Sequence, residues 1–161
     1  MRQILIRPDE FAVSEVPEVF MSLALGSSLA ICLFDARKRI AGMVHTLLPQ
    51  SRTEILREAD RLRFVDTSIE VLCEAMIAKG ASLGDIQAKL AGGARIFCFS
   101  ELDKNNEVGK ANILCARQKL QELGITVISE DTGENYGRSV YFHTEDGSLE
   151  IETVNRPRYW I

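Results

Sequence analysis

The sequence predicts an α/β or α+β fold in which two helices cover β-sheet. Three observations predict it. Short apolar runs punctuated by Gly, Pro, Asn and Asp recur along the chain, as strands separated by turns do. Two longer stretches carry apolar residues at helical spacing. The strongest apolar runs are continuous rather than alternating, the pattern of strands covered on both faces. Strands with two helices set between them belong to sheets packed by helices.

The elements follow in order. Residues 2–6 form a short apolar alternation and read as a strand. Residues 11–16 read as a second, ended by Pro17. Residues 19–25 and 29–34 are strands on either side of a Gly26-Ser27-Ser28 corner. Residues 35–39 form a turn, and 40–48 a strand closed by Pro49. Residues 50–62 are polar and fit either a loop or a short surface helix from Thr53. Residues 64–79 predict a helix, with Ile69, Leu72, Cys73, Met76 and Ile77 on one face and Gly80 as its stop. Residues 86–90 predict a strand broken by Gly92-Gly93, after which 95–99 resume an apolar pattern. Residues 101–107 form a polar loop. Residues 109–123 predict the second helix, with Ile113, Ala116, Leu120 and Leu123 on one face and Gly124 as its cap. Residues 125–129 are a strand and 130–137 a loop. Asp146-Gly147 between 138–144 and 148–154 signals a hairpin. Residues 155–161 read as a C-terminal tail whose Tyr159 and Trp160 need a surface to pack on.

The chain of 161 residues suits a single domain over 1–161 with a short tail at about 155–161. Nineteen basic and 23 acidic residues give a net charge of −4, which argues against a nucleic-acid partner. The basic run Arg37-Lys38-Arg39 falls at a turn, and Arg52, Arg57, Arg61 and Arg63 are interleaved with Glu54, Glu58 and Asp60 as on a mixed-charge surface. No apolar run approaches 18 residues, so no membrane insertion is expected. The first residues lack the apolar core of a signal peptide, which makes the cytoplasm the expected compartment. Cys32, Cys73, Cys98 and Cys115 form no C-x-x-C pair and each sits in an apolar pattern, as reduced core cysteines do. With two histidines in the chain, neither near a cysteine in sequence, no metal site is expected.

Four groups of residues could carry chemistry. Ser28 stands at the head of one buried strand and His45 inside another, so the two could meet as nucleophile and base; a packed hairpin with one hydrogen-bonded histidine fits the same pattern. Gly26 and Ser27 could present backbone N–H groups to a developing oxyanion, and Ser22 could add a hydroxyl. Residues 26–30 lack the second Gly of a G-x-S-x-G elbow. Ala91-Gly92-Gly93-Ala94 could cradle a phosphate but has no recognised phosphate-loop pattern, and close backbone packing explains it better. The acidic run Glu130-Asp131 with Glu134 fails the EF-hand spacing and reads as a turn-rich loop. His143 lies in an alternating strand and reads as a strand residue.

The Leu25-Gly26-Ser27-Ser28 corner, Leu33-Phe34-Asp35, Gly42-Met43-Val44-His45 and Leu48-Pro49 resemble the chemoreceptor glutamine deamidase family CheD. That family shows a Leu-Gly-Ser-Cys corner followed by Gly-Gly-Met-x-His and Leu-Pro. Phe64-Val65-Asp66-Thr67, Lys89-Leu90-Ala91-Gly92-Gly93-Ala94, Gly109-Lys110-Ala111-Asn112, Gly124-Ile125, Glu130-Asp131-Thr132-Gly133 and Arg138-Ser139-Val140 continue the match in order. The resemblance implies a layered β-sheet sandwich flanked by two long helices, similar to the fold of bacterial toxin deamidases. It implies hydrolysis of glutamine side-chain amides on methyl-accepting chemotaxis receptors to glutamate and ammonia, with some members also acting on receptor methyl esters. No cofactor is implied. Receptor cytoplasmic helices are the implied substrate, and a CheC-type phosphatase a possible partner. His45 matches the catalytic histidine, and Ser22 the family's threonine position. Ser28 stands where the family has its nucleophilic cysteine. It is readable as an engineered substitution, as the mark of a natural inactive relative, or as a working serine variant. A catalytically silent module that binds receptors or CheC is the alternative to a deamidase.

Overall fold

The computed structural model describes residues 1–52, 56–96 and 107–161. Among these residues, ten strands form two mixed five-stranded sheets. The first has the order β1 (Arg2–Leu5), β3 (Glu18–Leu25), β8 (Arg138–His143), β9 (Leu149–Thr153), β10 (Arg156–Trp160). The second has the order β2 (Glu10–Ser14), β5 (Ile40–Thr46), β4 (Leu29–Asp35), β6 (Ile86–Gly92), β7 (Thr126–Thr132). β1 runs parallel to β3 and β6 parallel to β7; the other neighbours are antiparallel. The helices α1 (Val65–Ala78) and α2 (Val108–Glu122) cover the outer face of the second sheet. The expected α+β sandwich flanked by two helices is what forms.

The second sheet is the middle layer, which explains the continuous apolar runs. Side chains alternate along a strand. In β4, Ala30 and Cys32 enter the core between the sheets with Phe20, Val140, Phe142 and Ile151. Leu29, Ile31 and Leu33 enter the core beneath the helices with Leu72, Met76, Ala116 and Leu120. Every residue of β5 is buried. Gly42 lets α1 approach: a Cβ there would lie 2.8 Å from Leu72 Cδ1. On α1 the expected face is buried except Ile77, which is 46% exposed because it lies off the stripe.

Two expectations change: residues 155–161 hold a strand rather than a tail, and the strand expected over 125–129 runs on to Thr132, into the expected loop. The chain leaves the first sheet at the end of β3 and enters the second at β4, so the corner at residues 26–28 joins the two sheets. The hairpin is β4–β5, in which Ala30 pairs with His45. The tail at 155–161 is a strand: β10 pairs antiparallel with β9, Tyr159 opposite Ile151 and Trp160 opposite Glu150. Pro157 hid it, since proline lacks a ladder donor and is confined to edges and bulges. β10 is an edge strand, and its register slips between Arg156 and Tyr159. Tyr159 packs on the core between the sheets, while Trp160 stays 57% exposed with its ring 5.0 Å from that of His143. The expected helix start at Thr53 falls outside the described residues; the described part of that stretch holds a 3-10 turn at Glu58–Asp60. The mixed-charge stretch forms surface pairs, Arg57 with Asp60 and Arg61 with Glu58, both at 3.0 Å.

Candidate active site

The site assembles where the chain crosses between sheets. Ser28 is buried at the head of β4, and His45 is buried near the end of β5, on the face turned toward the first sheet with Met43 and Ala41. Antiparallel pairing brings them together: Ser28 Oγ lies 2.8 Å from His45 Nε2. Burial lowers the His45 pKa below its ordinary 6.5, an effect partly offset by the Ile6 carbonyl and by Asp9 and Glu10. The neutral ring leaves the Nε2 lone pair to accept from the Ser28 hydroxyl, a tautomer assigned from these surroundings. Nδ1 has no hydrogen-bond partner among the described residues, although the nearby Ile6 carbonyl favours a proton on the ring.

Ser22 is fully buried on β3, but its hydroxyl does not bond the imidazole. It donates to the Ile6 carbonyl at 2.8 Å. That carbonyl therefore lies between the Ser22 hydroxyl and the histidine. Asp9, which sequence reasoning did not single out, also belongs to this edge of the site. Its N–H donates to the His45 carbonyl at 2.9 Å, and its carboxylate favours the protonated ring.

The corner rests on the Gly-Gly segment. Gly93 N–H donates to the Ser28 carbonyl and Ala94 N–H to the Gly26 carbonyl, both at 2.9 Å. Gly92 has φ +115°, and a Cβ on it would lie 2.3 Å from the Ser28 carbonyl oxygen. Here only glycine fits, for conformation and for space. Close backbone packing is thus the role of residues 91–94. Behind Gly92 lies Arg138, the start of β8 and fully buried. Its Nε pairs with Asp131 Oδ1 at 2.8 Å, and its Nη1 donates to the Gly133 carbonyl at 2.9 Å and toward the Gly92 carbonyl at 3.4 Å. Asp131 also accepts from the Tyr159 hydroxyl, and Glu130 pairs with Arg117. Glu130 and Asp131, at the end of β7 rather than in a loop, are thereby engaged by cations, and no cluster able to hold a metal occurs among the described residues.

Asn112 on α2, buried and absent from the sequence-based site, donates through Nδ2 to the Ser27 carbonyl at 2.8 Å and the Leu47 carbonyl at 3.0 Å. Its only sequence signal is the Gly109-Lys110-Ala111-Asn112 run. His143 faces outward on the first sheet, 3.8 Å from Glu150, away from Ser28. Phe97, Phe99 and Cys98 lie outside the described residues. No described thiol can replace the missing one at the corner. Cys32 is buried and burial pushes its thiol far up, while Cys73 and Cys115 are pushed up to about 11, chiefly by burial.

The depressed His45 titration makes a stability prediction. In the unfolded chain this residue takes up a proton as pH falls through 6.5, whereas the folded chain resists until lower pH. Stability is therefore full above 6.5 and falls on acidification below it, by at most about 1.4 kcal/mol per pH unit from this one group. Urea midpoints at pH 7.5 and 5.5 are expected to differ more for the unaltered chain than for His45→Gln; equal differences would contradict it.

A family profile described as CheD chemotactic sensory transduction matches residues 47–153. The probable chemoreceptor glutamine deamidase CheD of Clostridium novyi is 39% identical over 152 residues, covering 94% of this chain and 93% of the relative. The protein of the same name from Caldanaerobacter subterraneus is 38% identical, covering 88% and 87%. The chemoreceptor glutamine deamidase CheD of Halalkalibacterium halodurans is 34% identical, covering 87% and 86%. Among the described residues no helix is long and apolar enough to cross a membrane.

Proposed function

The chain belongs to the CheD family of chemotaxis proteins, and from that premise we propose that it hydrolyses glutamine side-chain amides on chemoreceptors, with Ser28 as nucleophile and His45 as general base. The observation that carries the reading is the 2.8 Å contact between Ser28 Oγ and His45 Nε2. Ser28 Oγ adds to the amide carbon as its proton passes to Nε2. The imidazolium returns that proton to the departing nitrogen, which leaves as ammonia, and a seryl ester remains. Water then adds to the ester while His45 takes its proton. The Ser28–acyl bond breaks, Oγ regains the proton, and glutamate is released. Ser28 N–H, supported by Gly26 and Ser27 at the corner, faces the developing oxyanion. Ser22, by donating to the Ile6 carbonyl, holds that carbonyl near the imidazole, where it favours a proton on the ring. The reaction uses no cofactor. The substrate is a receptor cytoplasmic helix, and a CheC-type phosphatase presenting a similar helix is the accompanying partner.

A second reading follows from Ser28 itself. An alcohol ionises far less readily than the thiol of the family corner, and no described cysteine replaces it. On this reading the chain binds receptor helices or CheC without turnover.

Incubation with receptor cytoplasmic fragments, reading ammonia release and the amide-to-acid mass change, separates the two. Turnover by the Ser28→Cys protein that falls on the order of 10²–10⁴-fold on adding His45→Ala supports the catalytic assignment. Retention of the fragment by the Ser28 protein without turnover supports the binding reading. No turnover by either form overturns the deamidase reading.

A further inference from the structure

We propose that Asn112 is a positioning residue of the Ser28–His45 pair: its side-chain amide fixes the peptide group that joins Ser27 to Ser28 and ties it to the end of the strand carrying His45. The inference rests on the reading of Ser28 and His45 as nucleophile and base.

The two hydrogen bonds of Asn112 Nδ2 reach both halves of the site. One acceptor is the Ser27 carbonyl, 2.8 Å away. That carbonyl and the Ser28 N–H belong to the same planar peptide group. A bond accepted by the oxygen therefore sets the plane in which the N–H of the nucleophilic residue lies, and polarises it. Among the described residues, the N–H groups of Ser27 and Ser28 have no acceptor, which leaves them for a ligand. The other acceptor is the Leu47 carbonyl, 3.0 Å away and two residues beyond His45. The next peptide is held from the opposite side, by Gly93 N–H on the Ser28 carbonyl.

The orientation of the amide is settled by its partners. Turning it over would press Oδ1 against two carbonyl oxygens. As it stands, Oδ1 is buried with no partner among the described residues. An orphaned buried acceptor costs about 1–3 kcal/mol, so stability alone does not account for an amide at this fully buried helix position. The helix is seated to deliver it. Gly109, one turn before Asn112 and on the same face, lies so close to β6 and its extension that a Cβ would be 2.5 Å from the Gly93 oxygen and 2.6 Å from that of Ala94. Hydrogen bonds weaken steeply with angle, so a rotated Ser27–Ser28 peptide would lose its grip on an oxyanion while leaving substrate docking intact.

The test uses the full chain carrying Ser28→Cys, alone and with Asn112→Ala, Asn112→Asp or Ser68→Ala. Ser68 is the control: its buried hydroxyl donates to the Val65 carbonyl at 2.9 Å, within α1 and away from the corner. Three quantities are read: kcat and KM on a receptor cytoplasmic fragment, the pH dependence with which iodoacetamide alkylates the thiol introduced at position 28 (located by peptide mass), and the thermal midpoint. Asn112→Ala is expected to lower kcat about 10–100-fold with KM within about threefold, as loss of a transition-state donor does. It is also expected to slow alkylation at pH 7 and move its midpoint upward toward the ordinary thiol value. Asn112→Asp, whose carboxylate cannot donate to carbonyls, reproduces both effects and decides alone if the alanine variant does not fold. Ser68→Ala lowers the thermal midpoint and leaves kcat and alkylation unchanged. A folded Asn112 variant with the kcat and alkylation profile of Ser28→Cys alone overturns the proposal. So does a kcat loss that Ser68→Ala matches at equal destabilisation. If Ser28→Cys alone gives no turnover, the deamidase reading fails, and alkylation still decides whether Asn112 positions residue 28.

Discussion

Replacing Ser28 by Cys is expected to raise receptor deamidation on the order of 10²-fold or more. The reason is the pairing already present. His45 Nε2 lies 2.8 Å from the side-chain oxygen at position 28, and burial keeps the ring neutral and ready to accept. A serine must give up its proton in concert with attack. A thiol of ordinary pKa about 8.5 beside an imidazole exists partly as thiolate before substrate arrives. The substitution needs no new space beyond the larger sulfur radius, since Gly92 and Gly93 hold the Ser28 backbone rather than its side chain. Turnover numbers of the two forms on one receptor fragment measure the gain. Equal rates would mean that the site works through oxygen as well as through sulfur.

Arg138→Met is expected to cost about 3–5 kcal/mol of stability, on the order of 10 °C in Tm for a chain of this size. Its guanidinium is fully buried against a carboxylate only 12% exposed. Removing it leaves Asp131 without its cation, with hydroxyl donors alone, and withdraws the donor from the Gly133 and Gly92 carbonyls. Arg138→Lys is expected to recover little, because an ammonium cannot fork between a carboxylate and two carbonyls. Urea midpoints read the effect, and a loss below about 1 kcal/mol would sink it. Because Gly92 abuts the Ser28 carbonyl, the Ser28→Cys background should also lose turnover.

The layered architecture was legible because burial leaves a periodic mark. Continuous apolar runs at β4 and β5 identified the middle sheet, and the stripe at Ile69, Leu72, Cys73 and Met76 identified α1. The Ser28–His45 pair was legible because it arises within one hairpin. β10 was not, because Pro157 breaks the strand signature that its pairing with β9 overrides. Ser22 was placed in the right neighbourhood but without a partner: its bond to the Ile6 carbonyl depends on the pairing of β1 beside β3. Arg138 carried a usable signal, since it shares strand parity with the inward Val140 and Phe142, but its charge argues for the surface. Asn112 carried no local signal beyond its motif, because its two acceptors come from distant parts of the chain.

That distance separates how the two parts of the site are won from an unfolded chain. Ser28 and His45 are 17 residues apart and meet by closing a short loop, whereas Asn112 must find carbonyls 85 and 65 residues away. Closure entropy grows with the logarithm of the loop, so the reacting pair comes together at little cost and its alignment does not. An incompletely collapsed chain would hold the dyad without the docked helix that aligns it. Competence at the corner is in this sense a report on the completed tertiary structure.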